Sequence, residues 1–204
     1  MKTASPSRLC LAAAAFLLLG GLLASCSRPV RITDYIDPLV LVSGLQPVLC
    51  DEAGRNDYAI GEILLTEDRS TDSRETYYQQ CLCTAGPDRR LVLEMEYTIA
   101  PERIRIDYTL TPEGDPGQPS EWGLAYKPRG LKGLRYVGRG RWRNARTYEG
   151  GLRAVRRALL DLWQGTLQVE GARYLEADPA SPDEVLFLER GPAPFQSSLT
   201  FTLH

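Results

Sequence analysis

Residues 91–110 constrain the fold most, because they alternate apolar and polar side chains in two successive runs. Leu91, Leu93, Met95, Tyr97 and Ile99 are separated by Val92, Glu94, Glu96 and Thr98. After Ala100-Pro101-Glu102 the pattern resumes, with Ile104, Ile106, Tyr108 and Leu110 set against Arg103, Arg105, Asp107 and Thr109. A period of two turns one set toward a core and the other toward water. Two such strands joined by a short proline-containing link predict an antiparallel hairpin.

Shorter patterns predict the rest. Leu39-Val40-Leu41-Val42 reads as a first buried strand, and Tyr58 to Leu65 as a strand or a short helix, between which periodicity does not decide. Thr76 to Cys83 suits a strand closed by Ala85-Gly86-Pro87-Asp88, and Thr111 to Glu121 a surface loop. From Arg135 to Arg143 a single strand is expected, with Arg135, Val137, Arg139, Arg141 and Arg143 on one face and Tyr136, Gly138, Gly140 and Trp142 on the other. Further strands are expected over 166–176, 184–190 and 198–203.

One helix is expected, from about Tyr148 to Gln164. Leu152, Val155, Leu159, Leu162 and Trp163 fall on one stripe at spacings of three and four, with Arg153, Arg156, Arg157, Asp161 and Gln164 facing away. Gly165 is placed to end it, and Tyr136 and Trp142 are expected beneath it. The fold class predicted is α+β: an antiparallel sheet with one amphipathic helix packed on one face.

The N-terminal region is of a different kind. Lys2 and Arg8 precede an apolar run from Leu9 to Leu22, interrupted by Gly20-Gly21 and shorter than the roughly 20 residues a bilayer-spanning helix needs. Directly after it, Leu23-Ala24-Ser25-Cys26 resembles the lipobox of bacterial lipoprotein precursors. The resemblance implies a signal peptide over 1–25, cleavage before Cys26 and acylation of the Cys26 thiol by palmitate-type chains. Stable anchoring takes two or more such chains. Ser27 stands where an Asp would favour inner-membrane retention in the Gram-negative cases, so the resemblance favours the outer membrane, facing the periplasm. A tether is then expected over 26–37 and a single globular domain over 38–204, of ordinary size. At 43% hydrophobic and 25% charged residues, the composition excludes a disordered chain.

Charge is unevenly spread. Between Lys127 and Arg157 lie eleven lysines and arginines and one acidic residue, Glu149, so the rest of the mature chain is acidic. Three readings stay open for this segment: a solvated exterior, a surface for anionic polymers or lipid head groups, or a dock for an acidic envelope protein. Arg135, Arg139, Arg141, Arg143, Arg153, Arg156 and Arg157 are the candidate contacts. Guanidinium binds carboxylate and phosphate through two parallel bonds, which suits either partner. An exported address excludes nucleic acid.

With Cys10 lost and Cys26 acylated, Cys50, Cys81 and Cys83 are left. In an oxidising compartment one pair is expected to bridge. Cys81 and Cys83 share a strand face about 6.6–7 Å apart, an awkward separation for a disulfide, so Cys50 with Cys81 or Cys83 is the expected pairing. A fully reduced, buried set is the alternative. No metal and no cofactor is expected, since His204 is the single histidine.

The same lone histidine leaves serine- and cysteine-based nucleophilic systems without a base. Glu94 and Glu96, on the polar side of the best strand, keep a carboxylate-only hydrolase open. Two functions follow: a non-catalytic envelope lipoprotein serving as a binding or assembly accessory through its Arg-rich face, or a carboxylate-dependent hydrolase acting on envelope glycans.

Overall fold

Residues 91–110 form two eleven-residue strands, Arg90–Ala100 and Arg103–Glu113, paired antiparallel from Ala100↔Arg103 out to Arg90↔Glu113. Leu91, Leu93, Met95 and Tyr97 are buried on one strand, and Ile104, Ile106, Tyr108 and Leu110 on the other. The two-residue period therefore corresponds to burial residue by residue.

The computed structural model describes residues 31–34, 36–51, 54–114, 121–127, 133–138, 141–144, 153–154, 157–162, 165–171, 174–177 and 184–203. All belong to one unit, residues 31–204. In chain order it contains a 3-10 turn (Ile32–Asp34), helix α1 (Pro38–Ser43), and strands β1 (Leu45–Asp51), β2 (Gly54–Asp57), β3 (Ala59–Asp68), β4 (Glu75–Thr84), β5 (Arg90–Ala100) and β6 (Arg103–Glu113). There follow β7 (Glu121–Tyr126), β8 (Gly133–Gly138), β9 (Arg141–Asn144), β10 (Arg153–Ala154), β11 (Arg157–Asp161), β12 (Thr166–Glu170), β13 (Tyr174–Ala177), β14 (Val185–Glu189) and β15 (Phe195–Leu203).

These strands make two antiparallel sheets, one of six strands in the order β10-β13-β14-β7-β1-β2 and one of nine in the order β3-β4-β5-β6-β15-β12-β11-β8-β9. The sheets share one core. Leu45, Leu49, Trp122, Leu124, Tyr126, Val185 and Phe187 of the smaller sheet pack with the apolar rows of β5, β6 and β15. Phe201 of β15 meets Tyr126 and Phe187 of the opposite sheet edge-on, at ring-centroid distances of 5.8 and 6.2 Å, a geometry that aromatic quadrupoles favour. Val48, Ala125, Leu186 and Leu188 form a second buried cluster from the alternate positions of β1, β7 and β14. The centre of the six-stranded sheet is thus buried on both faces.

Several expectations are corrected. In place of a helix over 148–164, the described residues there run as β10 and β11. Ala158, Leu159 and Leu160 are all buried, so this is a strand covered on both sides, whose continuous apolar run mimics a helical stripe. Conversely, Leu39 to Val42 lies in α1, with Pro38 at its first position, where a missing N–H costs nothing. The single strand expected over 135–143 is a hairpin of β8 and β9, paired Val137↔Trp142 and Gly138↔Arg141. Ile32 is fully buried, and its amide donates to the Pro101 carbonyl at 2.5 Å, so the chain is already packed against the β5–β6 turn at residue 32.

No disulfide joins Cys50 to Cys81 or Cys83. The two β4 thiols point into the shared core, as their spacing on one face requires, whereas Cys50 packs against the second cluster, on the other side of the smaller sheet. A layer of backbone separates them. Burial raises the Cys81 thiol and, with the neighbouring Cys81, pushes Cys83 up to about 12.

Candidate functional site

The polar face of the hairpin is the best-defined chemical surface. Register places Tyr78, Glu96, Asp107 and Ser198 in one row across β4, β5, β6 and β15, and Gln80, Glu94, Thr109 and Gln196 in the next. All of these but Gln80 line an open depression of about 660 Å³, together with Arg69, Tyr108, Gly171, Glu189 and Ser197. It holds four carboxylates and one guanidinium.

Each carboxylate has an identified neighbour. Glu94 accepts from the Tyr78 hydroxyl at 2.6 Å and from the Gln80 amide at 3.2 Å. That bond to Glu94, then burial, pushes the Tyr78 phenol up to about 12. Arg69 lies 3.9 Å over the centre of the Tyr78 ring and reaches Glu67 at 2.6 Å and Glu96 at 3.3 Å. Asp107 takes a forked pair from Arg105, and Glu189 accepts from Ser197 Oγ at 2.7 Å. The result is a solvent-open lattice of hydrogen bonds, suited to holding a cationic or hydroxyl-bearing group at the surface. Glu94 and Glu96, the sequence candidates for catalysis, sit here two residues apart on one strand face.

Arg139 and Arg156 lie outside the described residues, as does Cys26 with the whole of 1–30. Arg135 is opposite Asn144, while Arg143 is opposite Tyr136 and Arg141 opposite Gly138. Arg153 belongs to β10, at the edge of the six-stranded sheet, and Arg157 to β11, in the nine-stranded one. Arg157 is exposed and 3.8 Å from Glu170. The basic segment is spread over both sheets.

Two surfaces were not foreseen from the sequence. Ile60, Ile63, Leu64 and Leu65 are exposed on β3, the edge of the nine-stranded sheet, Ile63 to 57%. Register shifts at Gly61 and Leu64 break the β3–β4 ladder twice. The second is a basic depression of about 730 Å³ at the end of the same sheet, where Arg74, Arg103 and Arg105 gather around Pro101. Alternation had marked Arg103 and Arg105 as outward-facing, but Arg74 joins them only through strand pairing.

Among the described residues no group of three or more His, Cys, Asp or Glu is arranged to hold a metal ion, and no helix is long and apolar enough to cross a membrane. No protein-family model matches the sequence, and no curated protein is significantly similar to it.

Proposed function

We propose that this chain is an envelope lipoprotein, anchored through acylated Cys26, whose β-structured body is a non-catalytic binding or assembly accessory. The anchor rests on the Leu23-Ala24-Ser25-Cys26 resemblance. The binding role rests chiefly on one observation: four large apolar side chains stand exposed on the edge strand β3. Clustered exposed apolar residues mark contact surfaces more often than they decorate free ones, and an edge strand adds unpaired backbone groups to the same place. The basic segment 127–157 is a second contact surface in this reading. Because its arginines reach both sheets, an acidic envelope protein or anionic polymer would bridge them rather than follow one stripe.

Two measurements test the two halves. The mass of the membrane-extracted product should correspond to a chain starting at an acylated Cys26, and Cys26→Ala should move the protein to the soluble fraction. An unacylated or unprocessed product overturns the anchor. Ile63→Lys with Leu65→Lys should abolish co-purification of the bound envelope component while leaving the thermal melt unchanged. Undiminished co-purification overturns β3 as the contact.

A further inference from the structure

We propose that the depression formed by Arg74, Arg103 and Arg105 faces the bilayer and binds the phosphate head groups of anionic lipid. The inference rests on the Cys26 anchor proposed above and goes beyond it by assigning an orientation and a second, headgroup-reading contact.

The first observation is one of reach. Ile32 is fully buried, with its amide bonded to the Pro101 carbonyl. Five residues separate it from Cys26, six steps along the chain, and a fully extended chain covers at most about 3.3–3.6 Å per step. With the contact at Ile32 added, an acylated Cys26 therefore lies within about 25 Å of Pro101. Pro101 itself lines the depression, so the end of the sheet carrying the β5–β6 turn is the end held nearest the lipid.

The second observation is chemical. The depression is lined by three arginines and one carboxylate, Asp107. Arg105 is half-exposed while bonded to Asp107. Arg74 donates to Thr98 Oγ1 at 2.7 Å, an uncharged acceptor, and has no carboxylate partner among the described residues. Arg103 is exposed and has no carboxylate partner among the described residues. Guanidinium groups pair with phosphate through two parallel bonds, and each such cation near an anionic surface strengthens attraction roughly fivefold within a screening length. An open basic hollow beside a short leash fits a two-signal anchor, in which acyl chains supply residence and head groups supply orientation.

The test uses the full acylated chain in phosphatidylcholine vesicles with or without phosphatidylglycerol, carrying p-benzoylphenylalanine in place of Ser73 on the rim of the depression. After irradiation, phosphatidylglycerol adducts should exceed their molar share about tenfold. In the triple variant Arg74→Gln, Arg103→Gln, Arg105→Gln they should fall to that share, with Arg103→Glu alone giving a partial loss and an unchanged melt. Adducts that follow the lipid ratio in every variant, or no lipid adduct at all, overturn the proposal while an acylated mass leaves the anchor standing. Loss of the adducts on adding millimolar inorganic phosphate also overturns it, because the site would then read free anions. If the product proves unacylated, the anchor fails. Flotation of the same chain with phosphatidylglycerol vesicles then decides the site: arginine-dependent binding supports it, and no binding overturns it.

Discussion

Arg55 and Glu184 stand 129 residues apart and meet in a two-pronged ion pair, Nη1 to Oε2 at 3.0 Å and Nη2 to Oε1 at 2.7 Å. The Glu184 side chain is 1% exposed, and Arg55 also donates to Asp57. Burial works against the charged guanidinium, but the bonds to Glu184 and Asp57 outweigh it and hold it above its ordinary value. The pair fastens the edge strand β2 to the start of β14, spanning β1 and β7 between them.

Breaking one partner leaves the other charge stranded. Glu184→Gln or Arg55→Met should each destabilise the protein by about 3 kcal/mol in denaturant titrations. The double variant Arg55→Met with Glu184→Leu should recover most of that loss. Penalties that simply add would show that the two groups do not act as a pair.

Gly123 of β7 is paired with Leu188 of β14. A Cβ there would sit 1.8 Å from the Phe187 carbonyl oxygen, a backbone atom held in the ladder. Gly123→Ala should cost about 3 kcal/mol or more, since the clash cannot be relieved by a side-chain rotation. Gly86 makes the contrast: its φ is +73° with open space around it, so Gly86→Ala should cost about 1–2 kcal/mol of backbone strain only. Comparable melts for the two variants would contradict this geometry.

The buried thiols give stability a pH dependence. Folding holds Cys83 near 12 against an ordinary 9.0, so the unfolded chain releases its proton first. The contribution of the neutral thiol is complete below pH 9 and drains away as pH rises from 9 toward 12. Tyr126, which burial pushes up to about 12 from 10.0, acts in the same direction above pH 10. Denaturant midpoints should therefore decrease as pH rises from 9 to 11, and Cys83→Ala should flatten that slope. Native Cys81 and Cys83 should also resist alkylation at pH 8 until the protein unfolds.

Position outweighs residue type for the isoleucines. Ile106→Ala, in the shared core, should cost about 2–5 kcal/mol. Ile63→Ala, on the exposed edge, should change stability by about 0.5 kcal/mol or less. Equal losses would mean that β3 is covered in the folded chain.

What could be read from the sequence was what one element decides alone. The β5–β6 hairpin was legible because each of its strands has one wet face, so burial and alternation coincide. β11 was misread because Ala158, Leu159 and Leu160 are buried on both sides, and a two-sided strand loses its period. α1 was missed for a related reason: a single turn of Leu-Val-Leu-Val carries too few residues to show any period. The acidic and basic depressions depend on register. Glu94 could be marked as outward-facing, but its bond to Tyr78 follows from the β4–β5 offset, which no local pattern encodes.

The double interruption of β3 has one further outcome. Both register shifts break the even run of ladder bonds, and irregularities of this kind bend and overtwist a strand, so the apolar edge at β3 is also an irregular one. A straight, evenly spaced neighbour finds no long run to lie along, and repeated addition of like strands into a fibril is discouraged at the place where hydrophobicity alone would invite it. In the binding role proposed for this edge, a guest shaped to the kinks would still fit, and the crookedness of the backbone would supply its selectivity.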